Sequence, residues 1–277
     1  MTTATTDPCR AASSLRTFTL SMGRGRRQWT FGRHWRKVVQ IDQMLCTACE
    51  ECIPWCPVGA IKPANGTVEI DLDECVECGT CLRYASCPVQ GIEESPETPE
   101  WPRVLRREFS DPGIQHSTTK GFGRGTEESK TNDVTGRVKR GRVGMGLEFG
   151  RPGIATRLGE LEKMTTALAK IGVHWEEKNP VSFLLADRAT GKMRDDVKNE
   201  RVLSAILEFE FDAARLPEIV PVVETTAETL DTVFSWCLFT RLEDDGSIPV
   251  MPALERLGLP VRPNAKINMG LGRPLVE

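Results

Sequence analysis

No run in this 277-residue chain approaches the roughly 18 apolar residues that a membrane-spanning helix requires. Histidine is scarce: there are three, and they form no visible ligand set. Arg26 and Arg27 resemble a twin-arginine export signal, but no apolar segment follows them, so the N-terminus does not read as a signal peptide. Gly121, Gly123 and Gly125 in "KGFGRGTEESKTND" lack a preceding apolar strand, so no dinucleotide-binding fingerprint is complete. Cysteine is almost missing outside one segment, with Cys9 and Cys237 the exceptions among ten. Such clustering argues against a secreted disulfide scaffold and for a reducing compartment. Together these absences predict a soluble, cytoplasmic protein.

What is present is concentrated between Cys46 and Cys87, which hold the other eight cysteines between them. Residues 46–57 read "CTACEECIPWCP", and residues 75–88 repeat the pattern more loosely as "CVECGTCLRYASCP". In each copy three cysteines follow one another at intervals of three, and a fourth stands further on, directly before a proline. The tails agree as well, "CPVGAI" at 56–61 with "CPVQGI" at 87–92. Thiols this close rarely meet disulfide geometry within one turn, whereas three of them on a wrapped loop can reach three corners of one metal cube. The proline fixes φ and removes a competing donor as the chain turns away, and Gly79 permits a close backbone approach. Four thiolates also suit zinc, but zinc ribbons pair two separated knuckles, so the pattern favours two 4Fe-4S clusters.

On these motifs, residues 38–95 resemble the bacterial two-cluster ferredoxin domain. The resemblance implies that Cys46, Cys49, Cys52 and Cys87 hold cluster one, and that Cys75, Cys78, Cys81 and Cys56 hold cluster two. One departure is visible: five residues, "LRYAS", separate Cys81 from Cys87, where the first copy has three, "IPW". A segment of this size is too small to be held by its apolar core alone, so metal binding supplies folding energy. Glu50, Glu51, Asp71, Asp73, Glu74 and Glu77 place negative charge around the ligands, and Trp55 and Tyr84 are expected to pack over the clusters.

The rest of the chain is less specific. Residues 1–37 form a basic arm in which Arg24, Arg26, Arg27, Arg33, Arg36 and Lys37 alternate with Trp29 and Trp35. A net charge of −3 argues against nucleic acid, and the arm reads as a docking element. Residues 96–141, rich in Pro, Gly and charge, read as a linker and partner-facing loop. From 142 to 277 the pattern becomes regular: strands at 142–149, 181–187, 202–211 and 233–242, helices near 153–172 and 213–231, then a short helix and an extended tail. The order βαββαβ predicts a split-βαβ sandwich, so the fold class is α+β: a ferredoxin-like two-cluster domain followed by that sandwich. His174 reads as structural or solvated, and Cys237 as core packing.

Clusters saturated by thiolates leave no open position for substrate, so the chain reads as a non-catalytic electron-transfer subunit of a multi-subunit oxidoreductase. Its partner would carry flavin or another redox cofactor, making a hetero-oligomer. The stretches "GRGTEESKTNDVTGRVKRG" and "LEFGRPG" faintly resemble the iron-sulfur portion of 6-hydroxynicotinate reductases, which implies reduction of a (hetero)aromatic ring. Two other readings stay open: a flavin held by the Gly-rich loop of this same chain, making it a reductase in its own right, and a sandwich that senses a small molecule in step with redox state.

Overall fold

The computed structural model describes residues 39–94, 99–124, 128–151 and 153–261. The basic arm at 1–37, the tail beyond residue 261 and Gly125 of the Gly-rich loop lie outside these residues. Around the cysteines, β1 (Val39–Ile41) pairs antiparallel with β4 (Ile92–Glu94), tying the beginning of the repeat to its end. Between them β2 (Ile61–Ala64) and β3 (Thr67–Ile70) form a hairpin. Its turn, Asn65-Gly66, has φ of 45° and 82°, the paired left-handed conformation that an Asn-Gly hairpin turn supplies. Val39, Ile61, Val68 and Ile92 make a small core that includes Cys52. The short helix α1 (Thr80–Tyr84) takes up most of the longer spacing before Cys87.

The described residues within 96–141 are not a bare linker. Helix α2 (Val104–Ser110) is buried along most of its length, with Leu105 and Phe109 inserted in the main core, and α3 (Glu128–Thr135) follows. The composition resembles a solvated loop because α2 is so charged. That charge is instead consumed in ion pairs: Arg106 with Glu200 at 2.5 Å, Arg107 with Glu94 at 3.2 Å.

The largest sheet is antiparallel, in the order β12 (Phe234–Phe239), β5 (Arg142–Phe149), β11 (Ala205–Asp212), β7 (His174–Trp175). Alternation decides its two faces. Val143, Met145, Leu147 and Phe149 of β5 join Leu207, Phe209 and Phe211 of β11 in a core shared with α4 (Leu158–Lys170) and α5 (Leu216–Ala227). On α4 the buried residues Leu158, Leu161, Thr165 and Leu168 follow helical spacing. Pro217 sits in the first turn of α5, where its missing N–H costs nothing. Helix α6 (Met251–Arg256) adds Leu254 to the core. The protein is thus a mixed helix-and-strand fold.

Three expectations are corrected. Residues 181–187 are not a strand of this sheet. Pro180–Leu184 forms a 3-10 turn capped by Asn179, whose Oδ1 accepts from the Val181 amide at 2.8 Å, and β8 (Leu185–Asp187) pairs with β9 (Lys192–Met193) in a separate hairpin. The apolar run buries Val181, Leu184 and Leu185, a helical rather than alternating spacing, and β7 takes the sheet edge. Helix α4 begins at Leu158 because β6 (Thr156–Arg157) pairs with β10 (Arg201–Val202). Cys237 is exposed, since Phe234, Trp236 and Leu238 occupy the inward positions of β12. His174 is exposed on β7 opposite Glu210.

Candidate metal centres

The sequence repeat is also a conformational repeat. The residues on both sides of each middle cysteine take left-handed φ values: Ala48 and Glu50 around Cys49 (53° and 62°), Glu77 and Gly79 around Cys78 (57° and 66°). Such a reversal wraps the backbone so that the three thiols of a triplet turn inward. Upstream, the amides of Cys46 and Cys75 donate to the carbonyls of Asp42 and Asp71 at 3.0 and 2.9 Å. Downstream, Gly59 and Gln90 are again left-handed, and the amides of Ala60 and Gly91 donate to Cys56 Sγ and Cys87 Sγ at 3.1 and 3.2 Å. The Asp residues carry a signal overlooked above: "VQIDQMLC" at 39–46 parallels "VEIDLDEC" at 68–75, extending the repeat seven residues toward the N-terminus.

Two small cavities of equal volume, about 20 Å³ each, lie between the loops. Cys46, Cys49, Cys52 and Cys87 line the first, and Cys56, Cys75, Cys78 and Cys81 line the second. Among the described residues, no three Cys, His or carboxylate side chains converge as a single metal ion requires. Four thiols around each cavity suit a polynuclear cluster, whose corners spread its ligands. Burial, aided by Glu77, pushes the Cys75 thiol up to about 12, and burial with the neighbouring Cys78 and Cys56 does the same for Cys81. The Cys52 thiol is raised by burial first and then by Cys49, Cys46 and Cys87.

The second cavity is clamped by arginines. Buried Arg106 donates from Nη1 to the carbonyls of Leu72, Asp73 and Cys75 at 2.8–3.0 Å, while its Nε meets Glu200. Arg103 donates to the Leu72 carbonyl and pairs with buried Glu77 at 2.6 Å. Arg83 donates to the Cys78 carbonyl and pairs with Asp111 at 2.9 Å. An added Cβ on Gly79 would lie 2.9 Å from Arg83 Nη1, so the glycine serves both its φ and this clamp. Arg157 and Arg201 hold Asp73 and Glu74, and Cys78 packs with Val76, Ala155 and Leu203. Much of the acidic charge on this side is thereby neutralised, leaving Glu50 and Glu51 exposed near the first cavity. Trp55 borders the second cavity and stacks on Tyr84 at 6.1 Å, with both rings exposed.

The Gly-rich loop is knit to itself: the His116 amide donates to the Gly121 carbonyl at 2.9 Å, its buried ring bonds the Gly123 carbonyl, and the Gly121 amide donates to Thr119 Oγ1. Sequence reasoning missed His116, which lies edge-on to Phe109 at 4.6 Å and whose proton affinity is lowered by burial. Among the described residues no helix is long and apolar enough to cross a membrane.

No protein-family model matches the chain. It is similar to a ferredoxin of Rickettsia felis, 32% identical over 78 residues, covering 27% of this chain and 70% of that protein. It is also similar to the PorD component of pyruvate synthase from Methanocaldococcus jannaschii, 42% identical over 53 residues, covering 19% of this chain and 59% of that one. A third relative is one of the subunits of an ion-translocating oxidoreductase complex from Methanosarcina acetivorans, 36% identical over 58 residues and 21% of this chain. The match spans only about a fifth of that Methanosarcina protein's length.

Proposed function

This chain belongs to the ferredoxin family, and from that premise we propose that it is the iron-sulfur electron-transfer subunit of a larger oxidoreductase. Cys46, Cys49, Cys52 and Cys87 hold one 4Fe-4S cluster, and Cys56, Cys75, Cys78 and Cys81 hold the other. The observation that carries this reading is the crossing: each cavity takes three thiols from one loop and its fourth from the other. When bound, each cluster supplies one-electron chemistry with no coordination position left for substrate. The chain's own residues shape that chemistry. The Ala60 and Gly91 amides donate to ligand sulfurs, which favours the more negative sulfur, and the arginines fix the cluster-two loop while shielding it from water.

Electrons pass to or from a partner that carries flavin or another redox cofactor. The reading draws support from PorD and the Methanosarcina relative, both named as subunits of larger assemblies. We place the complex in the cytoplasm and assign it reduction of a (hetero)aromatic substrate, on the stretches "GRGTEESKTNDVTGRVKRG" and "LEFGRPG". Residues 142–277 we read as a split-βαβ sandwich, supported by the strand order β12-β5-β11-β7 with α4 and α5 on one face. The test is an anaerobic reductive titration of the full chain. Uptake of about two electrons, returned to a one-electron acceptor, is expected, and a chain that takes up none would defeat the reading.

A further inference from the structure

The face of the sheet that α4 and α5 do not cover is hollowed. Over β11 and β7 it opens into a cavity of about 510 Å³, the size of a small-molecule site. Glu208 and Glu210, two apart on β11, lie on this outer face, and Arg137 and the segment following Val173 line the cavity around them. Opposite the two glutamates β5 carries Gly146 and Gly144. A Cβ on Gly144 would fall 2.0 Å from the Phe239 ring, so the bare glycine lets that ring lie across the strand and border the cavity.

The polar lining is unevenly satisfied. Glu208 is 5% exposed and accepts from Asn179 Nδ2 at 2.5 Å. Glu176 pairs with Arg137 at 2.9 Å. Glu210 gives Oε1 to Arg142 at 3.0 Å, but its Oε2 is buried with no hydrogen-bond partner. The remaining lining cations, Lys178 and Arg188, are exposed. A buried carboxylate oxygen without a donor calls for one, and an aromatic face beside it favours a cation over an anion.

We propose that this cavity binds a small organic cation with a flat apolar body, an aromatic amidinium or ammonium, its N–H groups donating to Glu210 Oε2 and its ring resting against Phe239. The proposal goes beyond electron transfer and stands apart from the cysteines. Its test is calorimetry on the cluster-loaded full chain with three probes of one shape: benzamidinium, neutral benzamide and anionic benzoate. Benzamidinium is expected to saturate one site, with benzoate giving no saturable heat. Glu210→Gln and Phe239→Ala should each weaken benzamidinium about tenfold or more, whereas Arg142→Met, which frees Glu210 further, should preserve or tighten it. Circular dichroism and cluster absorbance establish that each variant is folded; if one is not, the other supplies the reading. Benzoate binding as well as benzamidinium, heat from no probe because water alone fills the cavity, or benzamidinium binding indifferent to both weakening substitutions would each overturn the proposal.

Discussion

The two cysteine cavities share a backbone and differ in their surroundings. Both loops reverse at the same positions, and both fourth cysteines accept an amide four residues on. Yet the first cavity lies beside exposed Cys49, Glu50 and Glu51, with Met44 92% exposed nearby, whereas the loop of the second is held at its carbonyls by three arginines and its Cys78 packs with Ala155 and Leu203. The repeat determines how a loop wraps its thiols. What lies outside the repeat determines how far that loop is shielded and tied to the rest of the chain. The first cavity has an exposed thiol, Cys49, and the loop of the second is tied to the rest of the chain through Arg106 and Glu200.

The largest effect expected is from breaking the crossing. Cys87→Ala should strip the first cluster while the triplet of Cys75, Cys78 and Cys81 keeps its own, and Cys56→Ala should do the reverse; spectroscopy of the two variants reads this directly. Loss confined to the other cluster in each case would show that the longer Cys81–Cys87 spacing has rewired the ligands. Next comes the clamp. Arg106→Ala leaves Glu200 and three carbonyls of the cluster-two loop without their donor, and should cost about 3–5 kcal/mol in denaturant unfolding. It should also speed chelator removal of iron from the second site ahead of the first, and equal rates would argue that the clamp does not distinguish them.

Smaller effects compare matching positions. Gly79→Ala adds a Cβ in a left-handed conformation beside Arg83 and should lower stability by about 1–2 kcal/mol. Glu50 occupies the corresponding place in the first loop, with φ of 62° and an exposed side chain, so Glu50→Gly should raise stability by about 1 kcal/mol or less. Thermal unfolding of the pair measures both, and a gain for Gly79→Ala would contradict the shared backbone geometry.

The wrapped loops are legible in the sequence because ligand chemistry lives in short spacings, and even the upstream Val-x-Ile-Asp echo is there to be read. The long strands β5 and β11 are legible through strict alternation. The arginine clamp is not, since Arg106 and its partner Glu200 stand 94 residues apart and a charged helix on its own reads as solvated. Nor is the edge strand at His174–Trp175, two residues being too few to show a period. The face chosen by Cys237 depends on Gly146 across the strand pair, where an added Cβ would sit 3.2 Å from its sulfur. The cavity under Phe239 depends likewise on a neighbour, Gly144, that only folding brings near.

The central claim is that two crossed sets of four cysteines each hold a 4Fe-4S cluster. Iron and acid-labile sulfide analysis of anaerobically purified protein tests it most directly. About eight irons and eight sulfides per chain are predicted; stoichiometric zinc without sulfide, or four irons unchanged by Cys87→Ala, would contradict it.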